Sequence, residues 1–155
     1  MFRDIAEQQQ IPFRYVLADS VYANSPEFVE AVESLVGVTY LLRVPEDTLC
    51  WLKNPGTITK TYKYKCKVRT KKIVSDQAWE PISIKTLAAG INDFFWYRRK
   101  VTEGAKGPIE YEFTERRVVL SFQGIPHKTV WLLVWRTIGE ESQYSCFLSN
   151  APASI

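Results

Sequence analysis

The amino-acid sequence predicts an α+β fold, in which a β-α-β unit is followed by a longer, β-rich region. Three observations support this: one segment with helical spacing of apolar residues, a short apolar run on either side of it, and repeated short β-like runs from residue 49 onward. The chain has 155 residues, of which 46% are hydrophobic and 14% aromatic. Such a composition is typical of a folded domain and excludes a disordered or collagen-like chain.

The N-terminal part is predicted to contain a helix followed by the β-α-β unit. Residues 2–9 are predicted to form the end of a helix, which Ile11-Pro12 interrupts. Residues 13–18 and 40–44 are mostly apolar, β-favouring runs, typical of strands covered on both faces. Two strands joined through one helix are expected to be parallel.

The helix of this unit has clear start and stop signals. Asn24 or Ser25 can cap it, Pro26 suits its first position, and Gly37 suits its end. A single amphipathic helix is therefore predicted between the two strands.

The region from residue 49 onward is predicted to be mostly β, with a helical stretch only within residues 81–91. The run VWLLVW at residues 130–135 is predicted to be part of a central strand. The candidate strands are residues 59–74, 94–101, 109–122, 129–138 and 144–149.

Charge is distributed unevenly along the chain. The net charge is +3, but residues 1–50 hold three basic and eight acidic residues, a balance of −5. Residues 51–155 hold 17 basic and nine acidic residues, a balance of +8. An acidic N-terminal third joined to a basic remainder indicates two functional regions.

The most basic segment is TYKYKCKVRTKK, residues 61–72, and no acidic residue occurs from Thr48 to Ser75. As one strand, this segment would place five cations on one face: Lys63, Lys65, Lys67, Arg69 and Lys71. Such a face is either a solvated edge that protects against aggregation or a surface that contacts phosphates. Lysines favour contact with the nucleic-acid backbone over sequence readout.

A second mixture of aromatic and cationic residues follows at residues 96–100, where Arg98 and Arg99 are candidate DNA-binding residues. Aromatic rings and cations together can stack on bases or contact a backbone. The alternative is that Trp96 packs in the core with the cations outside.

Asp19 is the candidate catalytic and metal-binding residue. It ends a predicted buried strand just before a turn into a helix, where open α/β sheets often place functional groups. A carboxylate there can bind Mg²⁺, which prefers oxygen ligands. The alternative is that Asp19 only satisfies hydrogen bonds of the turn.

The sequence gives little support for a disulfide framework, a zinc site or a known catalytic motif. The three cysteines, Cys50, Cys66 and Cys146, have no CxxC spacing, and His127 is the only histidine, so neither a disulfide framework nor a Cys/His zinc site is supported. No complete catalytic set can be built from known motifs. The sequence has no apolar signal core and no apolar run of roughly 20 residues, so a cytoplasmic location without a membrane partner is expected.

The stretch IPFRYVLADSVYANSPEFVEAVESLVGVTYLLRVPEDT resembles the segment around the second catalytic aspartate of DDE transposases of bacterial and archaeal insertion sequences. INDFFWYRR, GPIEYEF, RRVVLS and CFLSNAPAS resemble the same family in the same order. The resemblance thus covers essentially the whole chain.

The resemblance implies a partial RNase H-like core, residues 1–48, interrupted by a β-rich insertion domain, residues 49–142, that helps to hold transposon-end DNA. Residues 143–155 would return to the core as a strand. Family enzymes hold two Mg²⁺ ions with three carboxylates to cleave and join DNA. Asp19 matches the middle carboxylate.

Departures from the family pattern limit the expected activity. The first aspartate belongs to a strand upstream of the first predicted helix, and the glutamate belongs to a helix downstream of the SNAP segment, so an internal fragment that is inactive alone is expected. Ala23 replaces a usual glycine, which would add strain if the turn needs a positive φ. The alternatives are a non-catalytic DNA-binding module and a pseudogene remnant without function.

A partial core is also expected to expose apolar surface. The residues concerned are Phe13, Tyr15, Leu41 and Val44, on the two strands of the β-α-β unit. Self-association through these strands is the expected consequence.

Overall fold

A computed structural model describes residues 13–23, 25–64, 67–76, 78–105, 107–139 and 143–152. The predicted helix at residues 2–9 lies outside them. In chain order, the described elements are β1 (Tyr15–Ala18), α1 (Ser20–Ala23), α2 (Pro26–Glu33), β2 (Thr39–Val44), β3 (Leu49–Trp51), β4 (Thr57–Tyr64), β5 (Lys67–Val74), β6 (Ile82–Ser83), α3 (Ile84–Ala89), a 3₁₀ turn (Asp93–Phe95), β7 (Tyr97–Gly104), β8 (Gly107–Phe122), β9 (Ile125–Thr137) and β10 (Tyr144–Ser149).

Most of the described strands form one mixed sheet in the order β1-β2-β10-β9-β8-β3-β6, and β7 also pairs with β8. β1 and β2 are parallel, with Tyr15 opposite Thr39 and Ala18 opposite Leu42, which confirms the predicted β-α-β unit. The other described pairs are antiparallel. The protein is therefore β-rich with a mixed sheet and short helices.

Helix α2 begins as its sequence predicts. Ser25 is the cap: its side chain accepts a hydrogen bond from the backbone N–H of Phe28 at 3.4 Å. The helix ends at Glu33 with Ser34 as its C-cap, earlier than predicted. Gly37 lies in the turn that follows, with φ of 75°, a conformation that glycine adopts without steric cost.

Both clusters of buried hydrophobic residues lie on one face of the sheet, while Trp51 and Val119 are buried on the other. A smaller cluster of Val16, Val32, Tyr40 and Leu42 packs under α2. A larger cluster joins β2, β3, β8, β9 and β10 to α3, and its fully buried members include Ile84, Val118 and Leu132. The two clusters give the sheet an inner face that is covered by helices.

The prediction that β1 and β2 are covered on both faces was wrong. Burial alternates along both strands, so they are not covered on both faces. Tyr15 is 72% exposed, as predicted, and Leu17 is 75% exposed, but Val44 is buried at 8%, so its predicted exposure was wrong. Val44 points inward with Leu42 and joins the larger cluster.

The segment predicted as one strand over residues 59–74 is a hairpin of two strands, β4 and β5. The predicted strand at residues 94–101 is divided between the 3₁₀ turn and β7. β8 and β9 form a long hairpin, whose Gln123-Gly124 turn has positive φ at both residues, as a type I′ turn requires. VWLLVW lies in β9, between β8 and β10, which confirms its predicted central place.

None of the helices in the described part of the chain is both long and apolar enough to cross a membrane.

Candidate functional site

Asp19 follows β1 directly, at the carboxyl end of the parallel pair β1 and β2. Its side chain is exposed, and Oδ1 accepts a hydrogen bond from the backbone N–H of Ser20 at 2.7 Å. Its carbonyl oxygen accepts hydrogen bonds from the N–H groups of Tyr22 and Ala23 at 3.0 and 3.2 Å. Asp19 therefore helps to start α1, which is the turn role expected as the alternative.

The hydrogen bond to the turn uses only part of the hydrogen-bonding capacity of the Asp19 carboxylate. An ionised carboxylate has two oxygens and about four lone-pair sites, so one accepted N–H leaves room for a ligand. The exposed position makes the group accessible from solvent. The geometry is compatible with both roles that the sequence left open.

Ala23 does not carry the strain that its replacement of glycine suggested. It is the last residue of α1, and among the described non-glycine residues positive φ occurs at Gln123. Its side chain packs against both core clusters. Alanine is thus accommodated in an ordinary helical conformation.

A metal centre at Asp19 would need further oxygen ligands beside its carboxylate. Within the described ranges, no group of three or more His, Cys, Asp or Glu side chains comes together. Mg²⁺ requires near-octahedral coordination and is usually held by carboxylates with several waters. The described residues alone do not form a complete metal centre, and Asp19 supplies a single carboxylate.

The basic hairpin places its cations differently from the prediction. Residues directly opposite each other in β4 and β5 share a face, and Lys60 is opposite Lys71, Tyr62 opposite Arg69, and Lys63 opposite Val68. Lys63 therefore lies on the face opposite to Arg69 and Lys71, so the prediction of one cationic strand face was wrong. The reason is that β4 and β5 are two antiparallel strands and not one continuous strand.

The side chains of the hairpin lie on two faces. The cation face carries Lys60, Lys67, Arg69 and Lys71. The threonine face carries Thr57, Thr59, Thr61 and Thr70 together with Lys63 and Lys72. All of these side chains are exposed, and Lys65 lies outside the described residues.

Repulsion between like charges destabilises the cation face of the hairpin. Lys60 and Lys71 are directly opposite each other, an arrangement that destabilises a strand pair. Asp76 relieves part of this repulsion, since its carboxylate lies 3.3 Å from Lys60 Nζ. A surface that keeps like charges this close favours an anionic partner.

Sequence reasoning missed Lys60 and Lys72 as members of this surface. Both lie within the acid-free stretch from Thr48 to Ser75, which was the available signal. TYKYKCKVRTKK begins at residue 61 and therefore leaves out Lys60, which the longer acid-free stretch includes.

Arg98 and Arg99 lie on β7 and, as neighbours in a strand, point to opposite faces of the sheet. Arg98 forms an ion pair with Glu112 at 3.4 Å, and the Arg99 guanidinium lies 5.5 Å from the centre of the Tyr97 ring. Trp96 is buried in the core, which confirms the alternative that was kept open for it. The structure thus does not bring the two arginines into one cationic surface.

The two described free thiols are poor candidates for chemistry. Cys50 and Cys146 are both buried in the larger cluster. Burial raises the pKa of each thiol to about 11, so both stay protonated near neutral pH.

Comparison with protein families supports the resemblance found in the sequence. A family model described as DDE superfamily endonuclease matches residues 1–108. Comparisons with curated proteins and with solved structures found no match. The matched residues include β1, Asp19, the β-α-β unit and the basic hairpin, and they make up well over half of the chain. The chain belongs to the DDE superfamily endonuclease family.

Proposed function

We propose that this chain contributes to DNA cleavage and joining as part of a DDE transposase, with Asp19 as one of the carboxylates that hold the metal ions. The observation that supports this is the position of Asp19: an exposed carboxylate at the carboxyl end of a parallel strand, inside the family-matched residues. In open α/β sheets, functional groups concentrate at that end of the strands.

The proposal includes a partial RNase H-like core at residues 1–48 and a DNA-holding insertion at residues 49–142, with residues 143–155 returning to the core. The parallel pair β1 and β2 and the pairing of β10 with β2 support the grouping of residues 1–48 with residues 143–155, and β9 of the proposed insertion continues the same sheet beside β10. DNA as the substrate class follows from the family. A cytoplasmic location, where bacterial and archaeal DNA is found, is part of the same proposal.

We also propose that the chain does not cleave DNA by itself. The support is the isolation of Asp19, since the described ranges bring no cluster of three metal-binding side chains together. A single exposed carboxylate binds Mg²⁺ too weakly and too loosely to position a reaction. Catalysis would need further carboxylates in addition to Asp19.

Paramagnetic broadening by Mn²⁺ tests the metal role of Asp19, because it detects weak binding. Titrating the chain with Mn²⁺ should broaden the amide NMR signals of residues 18–22 first. Asp19→Asn should remove this selective broadening, whereas Asp47→Asn, a change at another exposed carboxylate, should not. Broadening that is equal at Asp19 and Asp47 would reject the assignment.

A nuclease assay tests the proposed inactivity. The purified chain, mixed with plasmid DNA and Mg²⁺ or Mn²⁺, should show no more cleavage than its Asp19→Asn variant. Metal-dependent cleavage that disappears in that variant would overturn the inactivity but would support the role of Asp19.

A second candidate function is DNA binding without catalysis, supported by the six exposed cations on the described part of the hairpin. Each lysine that neutralises a phosphate contributes about 0.9 to the salt slope of binding. Replacing Lys67, Arg69 and Lys71 with glutamine should therefore lower the slope by about three. Lys85→Gln, which removes an exposed lysine of α3, should leave the slope unchanged; an unchanged slope in the triple variant would reject the hairpin as the DNA contact.

A further inference from the structure

We infer that the β4–β5 hairpin enters the major groove of duplex DNA as a two-stranded ribbon, with its threonine face toward the base edges. This inference rests on the proposed DNA-holding role and adds the groove and the orientation. Three features of the hairpin support this placement: its shape, the distribution of its cations and the chemistry of its two faces.

The hairpin is a two-stranded ribbon that forms no strand pair with the larger sheet among the described residues, although β5 contacts β9. In the described part of the chain, β4 and β5 pair with each other in a separate sheet of two strands. Eight residues per strand give a length of roughly 26 Å, and the two strands are about 4.8 Å apart. The major groove of B-DNA, which is about 12 Å wide, admits a two-stranded ribbon of this kind in undistorted DNA, whereas the minor groove, about 6 Å wide, must be deformed to take one.

The cations occur on both faces of the ribbon. Lys63 and Lys72 belong to the threonine face, one near the tip and one near the base, while the other four described cations belong to the cation face. A ribbon that lay flat on one phosphate backbone would use the cations of one face only. A ribbon within a groove has a phosphate backbone along each edge, so long side chains from both faces can reach phosphates.

The threonine face has the chemistry of base contact. Thr61 and Thr70 are opposite each other, between the levels of Lys63 and Lys72, and Thr59 is opposite Lys72. All three threonines are exposed. A threonine hydroxyl can donate to or accept from either type of base pair, and its methyl group can contact the methyl group of thymine. The cation face has no comparable set of small polar side chains, because its remaining members include Ile58, Tyr62 and Ile73.

The test measures binding of the whole chain to duplexes of one sequence by fluorescence anisotropy. One duplex is unmodified, and the second has glucosylated hydroxymethylcytosine, which fills the major groove. We expect at least a tenfold loss of affinity for the glucosylated duplex, and no competition from netropsin, a ligand of the minor groove. Equal affinity for both duplexes, or displacement by netropsin, would overturn the groove assignment while leaving DNA binding intact.

Variants of the two faces test the orientation. Thr59→Val with Thr61→Val keeps the shape and β-propensity but removes two hydroxyls, and should lower affinity several-fold without changing the salt slope. Lys60→Gln with Lys71→Gln should lower the salt slope by about two. Valine variants that bind like the wild type, with unchanged circular dichroism, would contradict the orientation.

Different results would reject the DNA-holding role and the placement of the hairpin in the major groove. Absence of binding to any duplex at low salt would reject the DNA-holding role itself, and the ribbon inference with it. Binding that is indifferent to the major groove would reject the ribbon inference alone.

Discussion

The guanidinium of Arg136 lies 4.2 Å from the centre of the Trp96 ring, over its face. The same group donates to Glu112 Oε2 and to Asp93 Oδ1, each at 2.8 Å. Arg136 belongs to β9, Glu112 to β8, and Asp93 to the 3₁₀ turn that precedes Trp96. One arginine therefore fixes this turn and the core tryptophan against two long strands.

Removing this arginine should destabilise the protein. Arg136→Met keeps much of the apolar length but loses the charged hydrogen bonds, so we expect the free energy of unfolding to fall by about 2 kcal/mol. Arg117→Met is the matched control: Arg117 also lies over an aromatic ring, Trp131, but is exposed, and its loss should cost less than about 1 kcal/mol. Urea denaturation followed by tryptophan fluorescence would measure both, and equal losses would contradict the role of Arg136.

Asn150 extends the pairing of β10 with β2 through its side chain. Oδ1 accepts from the backbone N–H of Tyr40 at 2.8 Å, and Nδ2 donates to the carbonyl of Val38 at 3.1 Å. Asn150→Ala leaves both backbone groups without this partner and should cost about 2 kcal/mol of unfolding free energy. Gln143→Ala, at an exposed position before β10, should change it by less than about 0.5 kcal/mol. A loss at Asn150 no larger than at Gln143 would show that water replaces the side chain.

The buried thiols should react only when the protein opens. In a Cys66→Ser variant, Ellman's reagent should label Cys50 and Cys146 at least about a thousandfold more slowly in buffer than in urea, because labelling needs an opened state. Fast labelling under native conditions would contradict their burial.

The same thiols should make stability fall at alkaline pH. Burial raises each folded-state pKa from 9.0 to about 11, so the unfolded thiols ionise first. The contribution of the two buried, neutral thiols to the free energy of unfolding is fully present below pH 9 and is lost as the pH rises from 9 to 11. The urea midpoint of the wild type should therefore decline over this range, and the midpoint of the double variant Cys50→Ala, Cys146→Ala should decline less. Equal declines in both proteins would show that other groups cause the effect.

The outer face of β1 should support self-association. Tyr15 and Leu17 are both largely exposed on this strand, which is at the edge of the described sheet. Sedimentation velocity should show concentration-dependent association, and Tyr15→Lys with Leu17→Lys should shift the chain toward monomer. Val36→Lys, at a fully exposed residue beyond α2, should have no such effect. A wild-type chain that stays monomeric at all concentrations would rule out this surface.

The sequence predicted those elements whose signals are local. Ser25, Pro26 and the apolar spacing that follows are enough to identify α2, and β10 is predicted with its observed bounds because its short run is isolated by turns. β3 and β6 have three and two residues, too few for any periodicity to be recognised. The division into β4 and β5 was missed because the sequence between them, Lys65-Cys66, contains none of the Asn or Gly residues that mark a tight turn.

The candidate site was predicted in part. Asp19 is placed by the end of an apolar run, which is a local signal, and the structure puts it at the carboxyl end of β1. Which face of the hairpin each lysine occupies depends on the register between two strands, which alternation within one segment does not reveal. The apolar character of Leu17 likewise does not indicate whether another element covers it.

Val44 and Cys146 are paired neighbours in β2 and β10, although about one hundred residues of chain separate them. The segment between them begins and ends one strand spacing apart, and within the described residues it adds β9, β8, β3 and β6 to the same sheet, whereas β4 and β5 form a sheet of their own. The cost of closing a chain segment whose ends are adjacent grows only with the logarithm of its length. The β4–β5 hairpin begins and ends at the paired residues Thr57 and Val74, so its length can change without breaking a strand pair of the larger sheet.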